Sequence, residues 1–211
     1  VEEPFEVTVT RAEVQIPLVE AEILEEDAAY ISLREFSTTA DTQLEEALNE
    51  MLAQEPVGLV FDLRGNPGGW LDQAVKVSDI FLEEGVALIE RSSDGREDVF
   101  RSEDDDIGEA ISLVILVNEG SASASEIVAG SIRDNDRGTL IGQQTFGKGS
   151  VQNTHTLQDG SSLRVTVARW YLPDGQNLDG NGITPDIQVP LTAEEAAADK
   201  DPQLDRAVEY L

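Results

Sequence analysis

Ser123 lies in the run Gly120-Ser121-Ala122-Ser123-Ala124-Ser125-Glu126, and Lys148 in Phe146-Gly147-Lys148-Gly149-Ser150-Val151-Gln152. A hydroxyl nucleophile and an amine base are what acyl transfer needs in a chain that has no cysteine. A serine hydroxyl is a poor nucleophile at neutral pH, so a neighbour must take its proton. A lysine can do this only when burial destabilises its ammonium, an effect worth roughly 3–5 pH units at full burial. Gln152, four residues past the lysine, carries an amide that could hold the amine in place. Small-residue runs also open helices tightly, and lysines in glycine-rich loops are commonly solvated. Against this, only Lys76, Lys148 and Lys200 stand among the 14 basic residues, and one of them is kept between two glycines.

The run from Val117 to Gly130 resembles the nucleophile segment of the C-terminal processing peptidases, also called tail-specific proteases. The segment from Phe146 to Gln152 resembles their general-base segment. Asp62-Leu63-Arg64-Gly65-Asn66-Pro67-Gly68-Gly69 is similar to a third family motif, and Gly182-Ile183-Thr184-Pro185-Asp186 to a fourth. Four motifs in the family's order are far more specific than any one.

The resemblance implies Ser123 as nucleophile, Lys148 as general base and Gln152 as the residue orienting the lysine. It implies an oxyanion hole made of the Ala124 N–H and an N–H of the Gly68-Gly69 turn. A glycine turn approaches closely and a helix start has unpaired N–H groups, so the chemistry agrees. Asp134 also matches a family position. If Ser123 opens a helix, eleven residues at ~1.5 Å each put Asp134 roughly 16 Å away, which gives it structural work: pairing with an arginine or capping a neighbouring segment.

His155, the only histidine, falls in an alternating stretch that reads as a strand. A Ser-His-Asp site would need it beside Ser123, and one histidine without cysteine leaves most zinc patterns unmet. Glu103-Asp104-Asp105-Asp106 lacks the spaced ligands and glycine of a calcium loop. Gly65 to Gly69 lacks the lysine-serine ending of a nucleotide-binding loop. No cofactor and no metal are expected. Trp70 and Trp170 read as core or cleft-wall residues.

Forty-three acidic against 14 basic residues give a formal net charge of -29, which repels nucleic acid and anionic membranes. Such a surface fits a solvated acidic shell, or life in high salt where self-repulsion is screened. With 211 residues and 40% hydrophobic content, the chain can bury one good core.

Thr42 to Leu52 and Leu71 to Phe81 read as helices, and Phe5 to Thr10, Ala29 to Phe36, Val57 to Leu63, Leu113 to Val117, Thr139 to Gly142 and Val151 to Leu157 as strands. Another helix is expected from the serine run to about Gly138. Asp94-Gly95 and Asp159-Gly160 mark hairpins, the second leading into Ser162 to Arg169. The expected fold is α/β (α+β), a mixed β-sheet core with flanking helices. The resemblance implies a ClpP/crotonase-like ββα architecture with added strands from the N- and C-terminal segments.

The expected organisation is 1–17 as the end of a PDZ domain and its linker, 18–190 as the peptidase core, and 191–211 as an acidic linker and C-terminal helix. The resemblance implies an upstream PDZ domain that binds the free C-terminus of a substrate, protein or peptide substrates, and an extracytoplasmic or organelle-lumen location. Two other readings remain open: a non-catalytic binding module, similar to retinoid-binding repeats, and a crotonase-like enzyme acting on coenzyme A thioesters.

Overall fold

A computed structural model describes residues 17–103, 107–198 and 200–211. The strand read at Phe5 to Thr10 and the carboxylates of 104–106 lie outside these residues. In chain order the elements are β1 (Val19–Ile23), β2 (Ala29–Leu33), α1 (Ala40–Leu52), β3 (Leu59–Asp62), α2 (Leu71–Asp79), β4 (Gly85–Ser92) and β5 (Glu97–Ser102). Then follow β6 (Leu113–Val117), α3 (Ala124–Asp134), β7 (Thr139–Gly142), β8 (Ser150–Thr156), β9 (Ser162–Tyr171), β10 (Ile187–Gln188), α4 (Ala193–Ala197) and α5 (Pro202–Tyr210).

Two sheets form. A six-stranded sheet has the order β1-β2-β3-β6-β7-β10, and a four-stranded sheet the order β5-β4-β9-β8. In the first, β1 runs antiparallel to β2 and every other pair is parallel; the second is antiparallel throughout. The fold is therefore α/β, a mixed sheet with flanking helices.

The central strands β3 (LVFD) and β6 (LVILV) are buried at every position, as parallel strands covered on both faces must be. Alternation divides their side chains. Leu59, Phe61, Leu113, Ile115 and Val117 join the large core with α1, α2 and α3. Val60, Val114 and Leu116 turn the other way, where Ile141 and Ala207 of α5 complete a smaller core. Because β3 and β6 are parallel neighbours, paired from Leu59↔Leu113 to Asp62↔Leu116, they deliver the loops that follow them to one edge of the sheet. Those loops carry the Gly68-Gly69 turn and Ser123.

The β8–β9 hairpin is exposed over most of its length, and Lys148 lies two residues before it. The edge strands β1 and β10 lie toward the two ends of the chain, where the resemblance implies added strands without stated bounds, and the short α4 has no counterpart among the elements read from the sequence. β1 (VEAEI) alternates apolar and polar residues as a strand does, a signal that sequence reasoning missed, and β10 has only two residues. Among the described residues no helix is long and apolar enough to cross a membrane.

Candidate active site

Ser123 occupies the N-cap of α3, 4% exposed, with φ 59° and ψ -114°. A non-glycine residue held there costs about 1–3 kcal/mol and persists only when its surroundings fix it. The fixing bonds run between the loop after β3 and the loop after β6. Asn66 C=O accepts from Ala122 N–H at 3.0 Å and from Ser125 Oγ at 2.9 Å. Ser121 Oγ donates to Leu63 C=O at 2.8 Å. Asn118 Oδ1 accepts from the N–H groups of Gly65 and Gly120 at 2.8 and 2.9 Å.

Glycine at 68 is required by this closeness. Its φ is +97°, and a Cβ there would lie 2.6 Å from Ala122 O, 2.8 Å from Ser123 Cβ and 2.9 Å from Ala124 N. The two glycines are not equivalent. Gly68 N–H donates to Asn66 Oδ1 at 2.9 Å. Gly69 forms a parallel bridge with Phe36 in which Phe36 N–H donates to Gly68 C=O and Trp70 N–H to Phe36 C=O, each at 2.9 Å. In such a bridge the N–H of Gly69 points away from Phe36. Neither it nor Ala124 N–H has a partner among the described residues.

Glu126 is the residue that sequence reasoning missed. Fully buried, its carboxylate accepts four hydrogen bonds. Oε2 takes Ser123 N–H at 2.9 Å and Lys148 N–H at 2.8 Å; Oε1 takes Gly147 N–H at 2.7 Å and Thr145 Oγ at 2.5 Å. One side chain thus laces the backbone of the serine to the backbone of the lysine. The available signal was the Ser-x-x-Glu spacing of Ser123 and Glu126, a capping pattern. Thr145 Oγ in turn accepts Ile183 N–H at 2.7 Å, and a Cβ on Gly182 would lie 2.5 Å from Thr145 O. All four sequence motifs therefore meet at this one edge.

The side chains of Lys148 and Gln152 are exposed. The Lys148 ammonium has no partner among the described residues, and Gln152 Nε2 makes a long 3.5 Å bond to Thr166 Oγ1. The structure brings the backbone of Lys148 to Ser123 and leaves its amine in solvent. His155 is exposed on β8, opposite Leu163. Asp134, at the far end of α3, pairs with Arg133 at 2.7 Å and accepts Asp174 N–H at 3.1 Å. Burial pushes its carboxyl up, against the pull of Arg133. Trp170 is buried and Trp70 is 61% exposed.

Arg64, from the third motif, ties this edge to the C-terminal helix. It bonds Asp62 at 2.6 Å and Asp201, the N-cap of α5, at 2.8 Å, with Gln203 Oε1 at 3.0 Å. Burial works against its cation, but the two carboxylates outweigh it and hold its pKa above the usual value. Tyr30 OH donates to Asp62 at 2.8 Å; burial and then the Asp62 charge push that phenol up. Among the described residues no cluster of side chains suits a metal ion.

Comparison with known proteins bears on the same segments. The pattern of Peptidase family S41 matches residues 27–189. Over 197 residues the chain is 40% identical to the carboxy-terminal-processing protease of Bartonella bacilliformis, covering 90% of this chain and 44% of that protein. Over 220 residues it is 36% identical to the carboxyl-terminal-processing protease of Synechocystis sp., covering 100% of this chain and 51% of that one. The solved structure of the photosystem II D1 C-terminal processing protease superimposes with a TM-score of 0.77 at 34% identity, covering 86% of this chain and 50% of the other. The chain spans about half the length of these relatives. With the match covering all four motifs and the helices and strands that carry them, the chain belongs to peptidase family S41.

Proposed function

We propose that this chain is the catalytic core of a serine endopeptidase that cleaves protein substrates near their C-terminal tails. Ser123 is the nucleophile, Lys148 the general base and Gln152 the residue that orients the lysine. The observation that carries this reading is the strained Ser123 at the head of α3, packed against Gly68 of the glycine turn, with Glu126 binding its backbone to that of Lys148. A tetrahedral intermediate formed at Ser123 needs two donors. Ala124 N–H is free at the head of α3. Of the two turn glycines, Gly69 is the better second donor, because Gly68 N–H is already committed to Asn66.

The exposed Lys148 amine sets what substrate must do. A peptide laid along the edge, as an added strand beside the glycine turn, covers the lysine, removes water and favours the neutral amine that can take the Ser123 proton. The proton then passes to the leaving amine as the acyl-enzyme forms, and water completes the cycle. Glu126 and Asp134 are positioning residues: the first fixes the base segment, the second ties the end of α3 to the turn at Asp174.

The strand–loop–helix units β3–α2 and β6–α3 support the ClpP/crotonase-like architecture. The proposed organisation is the end of a PDZ domain and its linker over 1–17, the peptidase core over 18–190, and an acidic linker and C-terminal helix over 191–211, with the PDZ domain upstream in the parent protein capturing free C-termini. The names of the relatives support a C-terminal processing role, and an extracytoplasmic or lumenal location goes with it. The test is cleavage of casein or a tailed peptide by the parent, Ser123→Ala and Lys148→Ala. Loss in both variants supports the dyad. Retained cleavage in Ser123→Ala refutes it.

A further inference from the structure

Beside the glycine turn lies a pocket of about 330 Å³ lined by Glu35, Phe36, Ser37, Gly68, Gly69 and Trp70. Its makeup follows from the parallel bridge between Phe36 and Gly69. Side chains alternate across a strand, so Phe36 enters the core, fully buried, while Glu35 and Ser37 stand on the other face. Trp70, next to Ser37 across the bridge, shares that face. Gly68, across from Glu35, is packed against the backbone of Ala122 to Ala124.

Two features of this pocket have no structural employment. Trp70 exposes 61% of its surface, although an indole is among the most apolar groups in the chain. The Glu35 carboxylate is exposed and has no hydrogen bond or ion pair among the described residues. The neighbouring cation, Arg34, is taken by Glu20 on the strand beside it, and Lys76 by Asp41 at 2.6 Å. The pocket therefore presents an indole and an uncompensated negative charge. Its wall adjoins the Ser123 segment: a Cβ on Gly68, which lines it, would lie 2.8 Å from Ser123 Cβ and 2.9 Å from Ala124 N.

We infer that this pocket is a substrate subsite next to the scissile bond and that it selects a lysine or arginine side chain. The aliphatic stem lies along the Trp70 indole, where a cation within about 6 Å of the ring is attracted to its face. The charged head meets Glu35. A substrate aspartate or glutamate in that position meets the same carboxylate and is rejected. The acidic surface of the chain as a whole attracts basic segments of a substrate toward the site. The inference rests on the peptidase reading for where the bond is cut, and adds to it the class of residue beside the cut.

Two measurements test it. In the first, the parent cleaves a peptide library varied at the three positions on each side of the cut, with the cut sites read by mass spectrometry. One position is expected to favour Lys or Arg over Leu, and Leu over Glu. In Glu35→Gln the ratio of kcat/KM for the basic over the neutral peptide falls roughly tenfold, and in Glu35→Lys the preference turns toward acidic residues. A preference that is absent in the parent, falls on Leu or Phe, or survives both variants overturns the inference while leaving the peptidase reading intact.

The second measurement does not depend on turnover. In Ser123→Ala, Trp70 is the exposed member of the chain's two tryptophans, so acrylamide quenching reports it. A lysine-rich peptide at millimolar concentration is expected to shield it, and a glutamate-rich peptide to leave it open. If the parent cleaves nothing yet this shielding is seen, the peptidase reading and the placement beside a scissile bond fail, while the selection of basic side chains by the pocket stands. If the two peptides act alike, the pocket assignment falls.

Discussion

One carboxylate oxygen, Glu126 Oε2, accepts the backbone N–H of Ser123 at 2.9 Å and that of Lys148 at 2.8 Å. The other oxygen is filled by Gly147 N–H and Thr145 Oγ. In Glu126→Gln one end of the side chain becomes a donor facing donors, leaving buried groups unsatisfied at about 1–3 kcal/mol each. The expected result is a lowered Tm and a fall in kcat of roughly 100-fold or more with a smaller change in KM, since the base segment loses its register. Thermal unfolding and steady-state kinetics on the same preparation check this. An unchanged kcat would show that the lacing is irrelevant to the chemistry.

Gly68→Ala places a methyl against Ala122 O and Ser123 Cβ from a backbone at φ +97°. Strain of about 1–3 kcal/mol is expected in chemical denaturation, together with loss of cleavage. Gly65, also at positive φ but with open space around it, gives the contrast: Gly65→Ala carries the strain without the collision. It should lose stability and keep its cut pattern.

Asp201 joins α5 to Arg64 and caps the helix through Leu204 N–H at 3.0 Å. Burial alone would raise its carboxyl, but the Arg64 cation and the cap bond outweigh it and leave the pKa below the ordinary 3.8. A depressed carboxylate stabilises the folded state above its unfolded pKa, and that contribution is lost as pH falls through the folded value. Arg64 stays charged throughout that range. Hydrogen exchange in α5 should therefore accelerate, relative to the central strands, below about pH 4. Asp201→Asn should cost roughly 1–2 kcal/mol at neutral pH and remove most of this acid dependence. Equal acid sensitivity in parent and variant would contradict the assignment.

The net charge of -29 makes the folded chain self-repulsive. Added salt screens charges beyond about 10 Å at 0.1 M, so Tm should rise between low and high salt. A Tm indifferent to salt would show that the acidic surface carries no such penalty.

Much of this site is legible in residue types and order. The Gly-rich run after an apolar strand places Gly68-Gly69, and a second such unit places Ser123, because parallel neighbours deliver their loops to one edge. The central strands are equally legible, since burial on both faces leaves LVILV and LVFD with almost no polar residue. What stayed hidden depends on side-chain geometry across distant segments. Glu126 has a capping signature, but nothing in sequence shows that Gly147 and Lys148 arrive at the same carboxylate. The difference between Gly68 and Gly69 depends on the Asn66 side chain. The exposure of the Lys148 amine depends on how the β8–β9 hairpin stands off the body.

The central claim is that Lys148, rather than the single histidine, activates Ser123. The direct test is kcat/KM on a tailed peptide for the parent, Ser123→Ala, Lys148→Ala and His155→Ala, with unfolding curves to confirm the fold. The account predicts losses of roughly 1,000-fold or more in the first two variants and a rate near that of the parent in the third. Full activity in Lys148→Ala, or its loss in His155→Ala alone, would contradict it.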